Sequence, residues 1–175
     1  MPLSKNAKLL NTFTMIGIVL GFIAIALFIL LELFVVGSLL LVMSAIIDRY
    51  DGKLARTYNI ANEFGKVMDG FNDLISFILA PVILIYQLNM MQSLVVCMLG
   101  TVIYIIAGIF RLARFAVDDQ NDTIQGLPTT LSGILLIIVV NFIYISTMVV
   151  SQWIVFSILV LLSLLMVSSF RAKKL

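Results

Sequence analysis

Asp48-Arg49-Tyr50-Asp51-Gly52-Lys53-Leu54-Ala55-Arg56, followed after eight residues by Gly65-Lys66-Val67-Met68-Asp69-Gly70-Phe71-Asn72-Asp73, sets four aspartates between two long apolar runs. Positions 48, 51, 52, 55 and 56 are related by steps of three and four, so on a helix they share one face. That face reads Asp, Asp, Gly, Ala, Arg. Positions 65, 69 and 73 step by four and form a second face: Gly, Asp, Asp. The intervening residues 57–64 suffice for a turn that sets the two helices antiparallel, with the faces opposed. The stretch thus predicts a helical fold with a carboxylate-rich end.

Its surroundings place that end at a membrane. Of the 175 residues, 62% are hydrophobic and 11% charged, against about 45–50% and about 25% in a soluble domain. Each crossing needs ~20 apolar residues, which allows about six spans with short loops. The expected spans are Thr12–Leu31, Leu33–Ile47 with a helical extension beyond the membrane surface, Val67–Leu88, Ser93–Val117, Thr129–Val149 and Gln152–Phe170. Lys5 and Lys8 ahead of the first run resemble the start of a signal peptide. No small-residue cleavage site follows, so the run reads as a retained helix. The expectation is an all-α membrane protein, a single six-helix domain over residues 1–175.

If the spans alternate, all 11 basic residues fall on one side: Lys5, Lys8, Arg49, Lys53, Arg56, Lys66, Arg111, Arg114, Arg171, Lys173 and Lys174. The positive-inside rule makes that side cytoplasmic, with both termini on it. Apart from Glu32, the carboxylates lie there too. Asp48, Asp51, Asp69 and Asp73 stand at the inner ends of spans two and three. A carboxylate at that depth costs a few kcal/mol and marks a functional site by default.

Four carboxylates converging in low dielectric do not all stay ionised without a cation. Hard divalent ions with oxygen ligands answer that need. The chain has no histidine, and its one cysteine, Cys97, lies in an apolar run. Mg²⁺ or Mn²⁺ therefore fits better than zinc. Gly52 and Ala55 clear side-chain bulk from the face, and Arg56 adds a forked donor suited to phosphate. Two metal ions and an arginine make a clamp for a diphosphate and its displacement. Two other readings stand beside this one. The aspartates could pair with neighbouring lysines and arginines, or they could line the path of a cation-coupled transporter. The position at one membrane face, and the lack of any role for Gly52, Ala55 and Arg56 in ion passage, weigh against transport.

The pattern D-x2-D-G-x2-A-R-x8-G-x3-D-x3-D resembles the signature of the CDP-alcohol phosphotransferases, at Asp48, Asp51, Gly52, Ala55, Arg56, Gly65, Asp69 and Asp73. That resemblance implies six membrane helices, a cytoplasmic site and a homodimer. It implies transfer of a phosphatidyl group from a CDP-linked lipid to an alcohol, with CMP leaving. Asp48, Asp51, Asp69 and Asp73 would hold two metal ions, and Asp73 would act as general base on the acceptor hydroxyl. Gly52, Ala55, Arg56 and Gly65 would border the CDP-lipid. Asn11-Thr12-Phe13-Thr14 resembles the family's PN-x-x-T segment, with Leu10 in place of proline. It offers Asn11 and Thr14 as nucleotide contacts; a helix cap is the plainer alternative.

Arg111-Leu112-Ala113-Arg114-Phe115 and Gly126-Leu127-Pro128 resemble the R-L-A-R-F-N … G-L-P-x-P pattern of bacterial and archaeal phosphatidylserine synthases. Ala116 stands where that pattern has asparagine, and Thr129-Thr130 replace its second proline region. The resemblance implies CDP-diacylglycerol and L-serine as substrates. Arg111 and Arg114 could receive an acceptor carboxylate or phosphate, or serve as membrane-surface anchors. Glycerol 3-phosphate and inositol phosphate are the competing acceptors. Pro81 is expected to kink span three, and Asn141 and Gln152 to bond between helices. The acids of the polar loop 117–128 are expected to be solvated.

Overall fold

The computed structural model describes residues 5–57, 63–117, 123–148, 150–168 and 171–173, with side chains for 12–50, 52–54, 64–117, 126–148 and 150–168. Among the described residues, seven α-helices follow the apolar runs: α1 Lys5–Leu30, α2 Phe34–Thr57, α3 Glu63–Asp73, α4 Ala80–Gln87, α5 Leu94–Val117, α6 Thr129–Ile145 and α7 Gln152–Val167. A π-helical segment, Leu74–Leu79, joins α3 to α4 without a break. The result is six rods. Three stretches are long and apolar enough to cross a membrane, Thr12–Leu30, Phe64–Gln87 and Leu94–Val117. The apolar helices α6 and α7 are shorter, and α2 carries Asp48, Arg49 and Lys53 toward its end. The protein is an integral membrane protein of six helical rods, with three spans meeting the length and hydropathy of a crossing. The expected helical extension of the second span is present in α2.

The fold is all-α as expected, with one short addition: β1, Thr123–Gln125, pairs antiparallel with β2, Arg171–Lys173, with Ile124 opposite Ala172. Span three is not simply kinked at Pro81. The backbone widens into the π segment just before it, and the Ala80 N–H bonds the Ile75 carbonyl five residues back. Proline has no N–H to give, so the Phe77 carbonyl, four residues before Pro81, lacks its ordinary helical donor. The Tyr104 hydroxyl of α5 lies 3.2 Å from it, fully buried, and also 3.2 Å from the Ser132 hydroxyl of α6. π segments of this kind recur at functional sites, and this one starts directly after Asp73.

The α3–π–α4 rod is central, and small residues let its neighbours approach it. Apolar association between helices gains little in lipid, so close backbone packing takes over. Gly17 and Gly21 of α1 face Asn72 and Ser76, Gly108 of α5 faces Ile78, and Gly133 of α6 faces the Phe77 backbone. At the end of the bundle away from the aspartates, Asn141 donates to the Ser38 hydroxyl (2.8 Å) and Gln152 accepts from the Ser93 N–H (2.8 Å). Both are the inter-element bonds expected of them. Cys97 is buried packing.

The start of α6 is held from the side. Gly126 has φ +71°, and a Cβ there would lie 2.5 Å from the Met166 carbonyl. Only glycine takes that left-handed conformation so close to backbone. The next residue, Leu127, donates its N–H to the Leu165 carbonyl at 3.0 Å. Arg114 donates to the Val167 and Ser168 carbonyls (3.5 and 3.1 Å) at the C-terminal end of α7. A cation is favoured there by the helix dipole. Together these contacts tie the 126–128 turn to α7 and fix where Thr129 begins α6.

Candidate active site

Three residues in just over one turn of α3, Asp69, Asn72 and Asp73, collect partners from the surrounding helices. Thr14 of α1, buried, donates to Asp69 Oδ1 at 3.2 Å. Asn72, 1% exposed, donates to Asp48 Oδ1 of α2 at 3.4 Å. Asp73 receives both threonine hydroxyls from the first turn of α6: Thr129 to Oδ2, and Thr130 to Oδ1 at 3.1 Å. Arg111 of α5 in turn donates Nη1 to the Thr129 hydroxyl at 3.0 Å. The i, i+3 and i+4 spacing on α3 is what allows one helix to serve three carboxylate positions at once.

Below Asp48 lies a polar knot. The Ser44 hydroxyl is within hydrogen-bonding reach of the Gly17 carbonyl (3.3 Å), Asn72 Oδ1 (3.2 Å) and the Ser76 hydroxyl (3.4 Å). Ser76 also donates to Asn72 Oδ1 at 3.2 Å. Ser44 and Ser76 are fully buried. Satisfied polar networks of this sort in low dielectric fix side-chain orientation. The carboxamide of Asn72 is thereby oriented with its oxygen toward the serines and its nitrogen toward Asp48.

The matched sequence positions are distributed as follows. Asp48, Asp69 and Asp73 come to the same end of the bundle, joined through α3. Thr14 is there too, on Asp69. Gly52 and Gly65 lie on α2 and α3 with part of their surface open, and a Cβ at Gly52 would meet nothing within 4 Å. The small residue at 52 is therefore not demanded by internal packing. Asp51, Ala55, Arg56 and Asn11 lie on their expected helices, but their side chains are outside the described residues, as are Asp118, Asp119 and Asp122. Among the described residues, no three carboxylates are grouped closely enough to form a metal cluster by themselves. Arg111 and Arg114 diverge: Arg111 is buried against Thr129, whereas Arg114 reaches the end of α7.

The CDP-alcohol phosphatidyltransferase family model matches residues 8–170. The chain belongs to that family. Among its relatives in this family is a CDP-diacylglycerol–serine O-phosphatidyltransferase of Methanocaldococcus jannaschii, 33% identical over 92% of this chain and 71% of the relative. The protein of the same name from Helicobacter pylori strain 26695 is 29% identical over 98% of this chain and 74% of its own. An archaetidylserine synthase of Methanothermobacter thermautotrophicus is 35% identical over 55% of this chain and 42% of its own. The family match covers all four aspartates, and also the residues the motif reading passed over: Ser44, Asn72, Ser76, Tyr104, Thr129 and Thr130. Of these, Asn72 was the most visible, an uncharged polar group at membrane depth inside the carboxylate motif itself. Thr129-Thr130 read only as a departure from a proline-containing pattern.

Proposed function

We propose that this chain is an integral membrane enzyme that transfers a phosphatidyl group from CDP-diacylglycerol to the hydroxyl of L-serine, giving phosphatidylserine and CMP. The observation that carries this reading is the placement of Asp48, Asp69 and Asp73 at one end of the bundle, linked by Asn72, Thr14 and Thr129, in a family member 33% identical to a protein named for that reaction. The charge distribution supports a cytoplasmic location for this end of the bundle.

The donor set suits a divalent ion. It consists of carboxylates held by neutral hydroxyl and amide donors, and oxygen ligands of this kind favour Mg²⁺ or Mn²⁺. Asp48, Asp51, Asp69 and Asp73 would hold two ions. Bound there, they would neutralise the diphosphate and stabilise CMP as it leaves. Gly52, where an added Cβ would meet nothing among the described residues, would leave room for the nucleotide, and Ala55, Arg56, Gly65, Asn11 and Thr14 would border the CDP-lipid. Asp73 would take the proton of the serine hydroxyl as its oxygen attacks the lipid-side phosphorus. The phosphorus–oxygen bond to CMP breaks as the new ester bond forms. Arg111, next to Asp73 through Thr129, is the better placed of the two arginines to meet the acceptor carboxylate. Arg114 would support the same region through α7. A homodimer in the membrane completes the reading.

The test is CMP release by the purified protein in lipid-containing micelles with Mg²⁺ or Mn²⁺ and a panel of acceptors. CDP-linked diacyl and archaeal ether lipids are offered as separate donors. Release that depends on L-serine is expected. Release with glycerol 3-phosphate or inositol phosphate but not serine would overturn the acceptor assignment. Ion flux in proteoliposomes without CDP-lipid would overturn the reaction class.

A further inference from the structure

Each of the two oxygens of Asp73 is held by a threonine. Thr129 and Thr130 are consecutive, on the first turn of α6, and they reach Oδ2 and Oδ1 respectively. The direction of each bond is fixed by chemistry. A guanidinium has donors and no acceptor, so Arg111 must donate to the Thr129 oxygen, and the Thr129 proton is left for Asp73. Arg111, Thr129 and Asp73 therefore form a directed chain across α5, α6 and α3. Thr129 is 1% exposed and Arg111 8%, and Arg111 Nε is buried without a partner among the described residues. That orphaned donor marks a guanidinium held by its Thr129 contact rather than by full pairing of its own donors.

We infer that Thr129 and Thr130 are positioning residues for Asp73. Their hydroxyls fix the rotation and tilt of its carboxylate, and Arg111 acts on the carboxylate through Thr129. The placement of α6 by the turn at Gly126 and by Arg114 on α7 serves this pair. A carboxylate held at both oxygens has little freedom to turn away from an incoming hydroxyl. Alignment of this kind governs the chemical step rather than substrate capture. The inference rests on the reading of Asp73 as proton acceptor.

The experiment compares Thr129→Val, Thr130→Val, Thr129→Ser, Thr130→Ser and Arg111→Met with the parent, all in the full chain, with thermal unfolding in detergent as a folding check. The expected result is a kcat for each valine variant lower by about tenfold to hundredfold, the range of a misaligned group, with KM for both substrates nearly unchanged. The serine variants keep the hydroxyl and should recover most of the turnover. If Arg111 acts on the chemical step through Thr129, the kcat of the Thr129→Val/Arg111→Met double variant should be no lower than that of the poorer single variant, the coupling expected of residues in one network. Valine variants that turn over like the parent would overturn the inference, as would serine variants no better than valine. Fully additive effects of Arg111 and Thr129 on kcat would overturn the route through Thr129, whereas a change in serine KM for Arg111→Met reads only its contact with the acceptor. Thr130 is half-buried, so Thr130→Val decides the matter if Thr129→Val does not fold. An inactive parent, or an active Asp73→Asn, would instead count against the proposed function.

Discussion

Tyr104 gives its hydroxyl to the carbonyl of Phe77, the acceptor that Pro81 leaves without a backbone donor. The contact repairs the central rod at its widest point and ties α5 to it. Tyr104→Phe removes the donor and leaves a buried carbonyl unsatisfied. Hydrogen bonds between membrane helices average about 0.6 kcal/mol, but leaving a buried acceptor without a partner costs about 1–3 kcal/mol. The second figure governs, because Pro81, four residues on, has no N–H to take the place of the hydroxyl. Thermal unfolding in detergent should show a loss of about 1–2 kcal/mol. An unchanged midpoint would mean that the carbonyl finds another donor.

Gly133 is the point where α6 touches that same segment. A Cβ there would lie 2.6 Å from Phe77 Cβ and its carbonyl oxygen, and 2.7 Å from its Cα. Alanine is the better helix former by about 1 kcal/mol. Overpacking against backbone costs about 1–3 kcal/mol, and backbone does not yield as a flexible side chain does. The clash decides the sign, so Gly133→Ala should lower the unfolding midpoint despite its higher helix propensity. Because α6 carries Thr129 and Thr130, turnover should fall as well. Equal stability and activity in this variant would show that α6 can shift without cost.

Much of this arrangement was legible in the chain before the fold was seen, and the limits are physical. Asp48, Asp69 and Asp73 announce themselves because a charge at membrane depth is costly and helical spacing decides which charges share a face. Asn141 and Gln152 stand out for the same reason among apolar neighbours. Most ends of the rods were legible to within a few residues, since hydropathy changes sharply there, but α1 starts at Lys5, seven residues before the apolar run, and α2 runs on to Thr57 through polar sequence. What pairs with what was not legible. Ser44, Ser76 and Thr129 are common in membrane helices, and only the packing of α1, α2 and α6 on the central rod gives them partners. The π segment is also invisible to periodicity, because Pro81 signals a disturbance without saying whether the helix bends or widens. Arg111 and Arg114 are three apart and read alike, yet one turns inward to Thr129 and the other along α7.

Asn72 links the polar knot to Asp48, and that link carries a prediction about metal use. Asn72→Leu keeps the branching and heavy-atom count of the side chain and removes the donor to Asp48 Oδ1. Ser44 keeps the Gly17 carbonyl as acceptor, while Ser76 loses Asn72 Oδ1, so a stability loss of about 1–3 kcal/mol is expected and thermal unfolding is measured beside activity. Partners that orient metal ligands are typically worth about 10- to 100-fold in metal affinity or activity. The Mg²⁺ or Mn²⁺ concentration for half-maximal CMP release should rise by about that factor. An unchanged metal requirement with normal turnover would separate Asp48 from any ion.

Asp73→Asn is the most direct probe of the chemistry. Asparagine has the same shape and can still accept from Thr129 or Thr130 through its one carbonyl oxygen. Its amide nitrogen cannot accept from the other, so one of the two α6 contacts changes character while the helix packing stays intact. The variant should therefore fold, and it should retain CDP-lipid binding through the remaining carboxylates. It cannot take a proton from the acceptor hydroxyl. General-base catalysis contributes about 10²- to 10⁴-fold, and loss of a possible metal ligand adds to that, so turnover should fall to background. CMP release measured beside CDP-lipid binding distinguishes the outcomes. Loss of turnover with binding retained supports the base assignment, loss of both points to a metal-holding role alone, and full activity removes Asp73 from the mechanism.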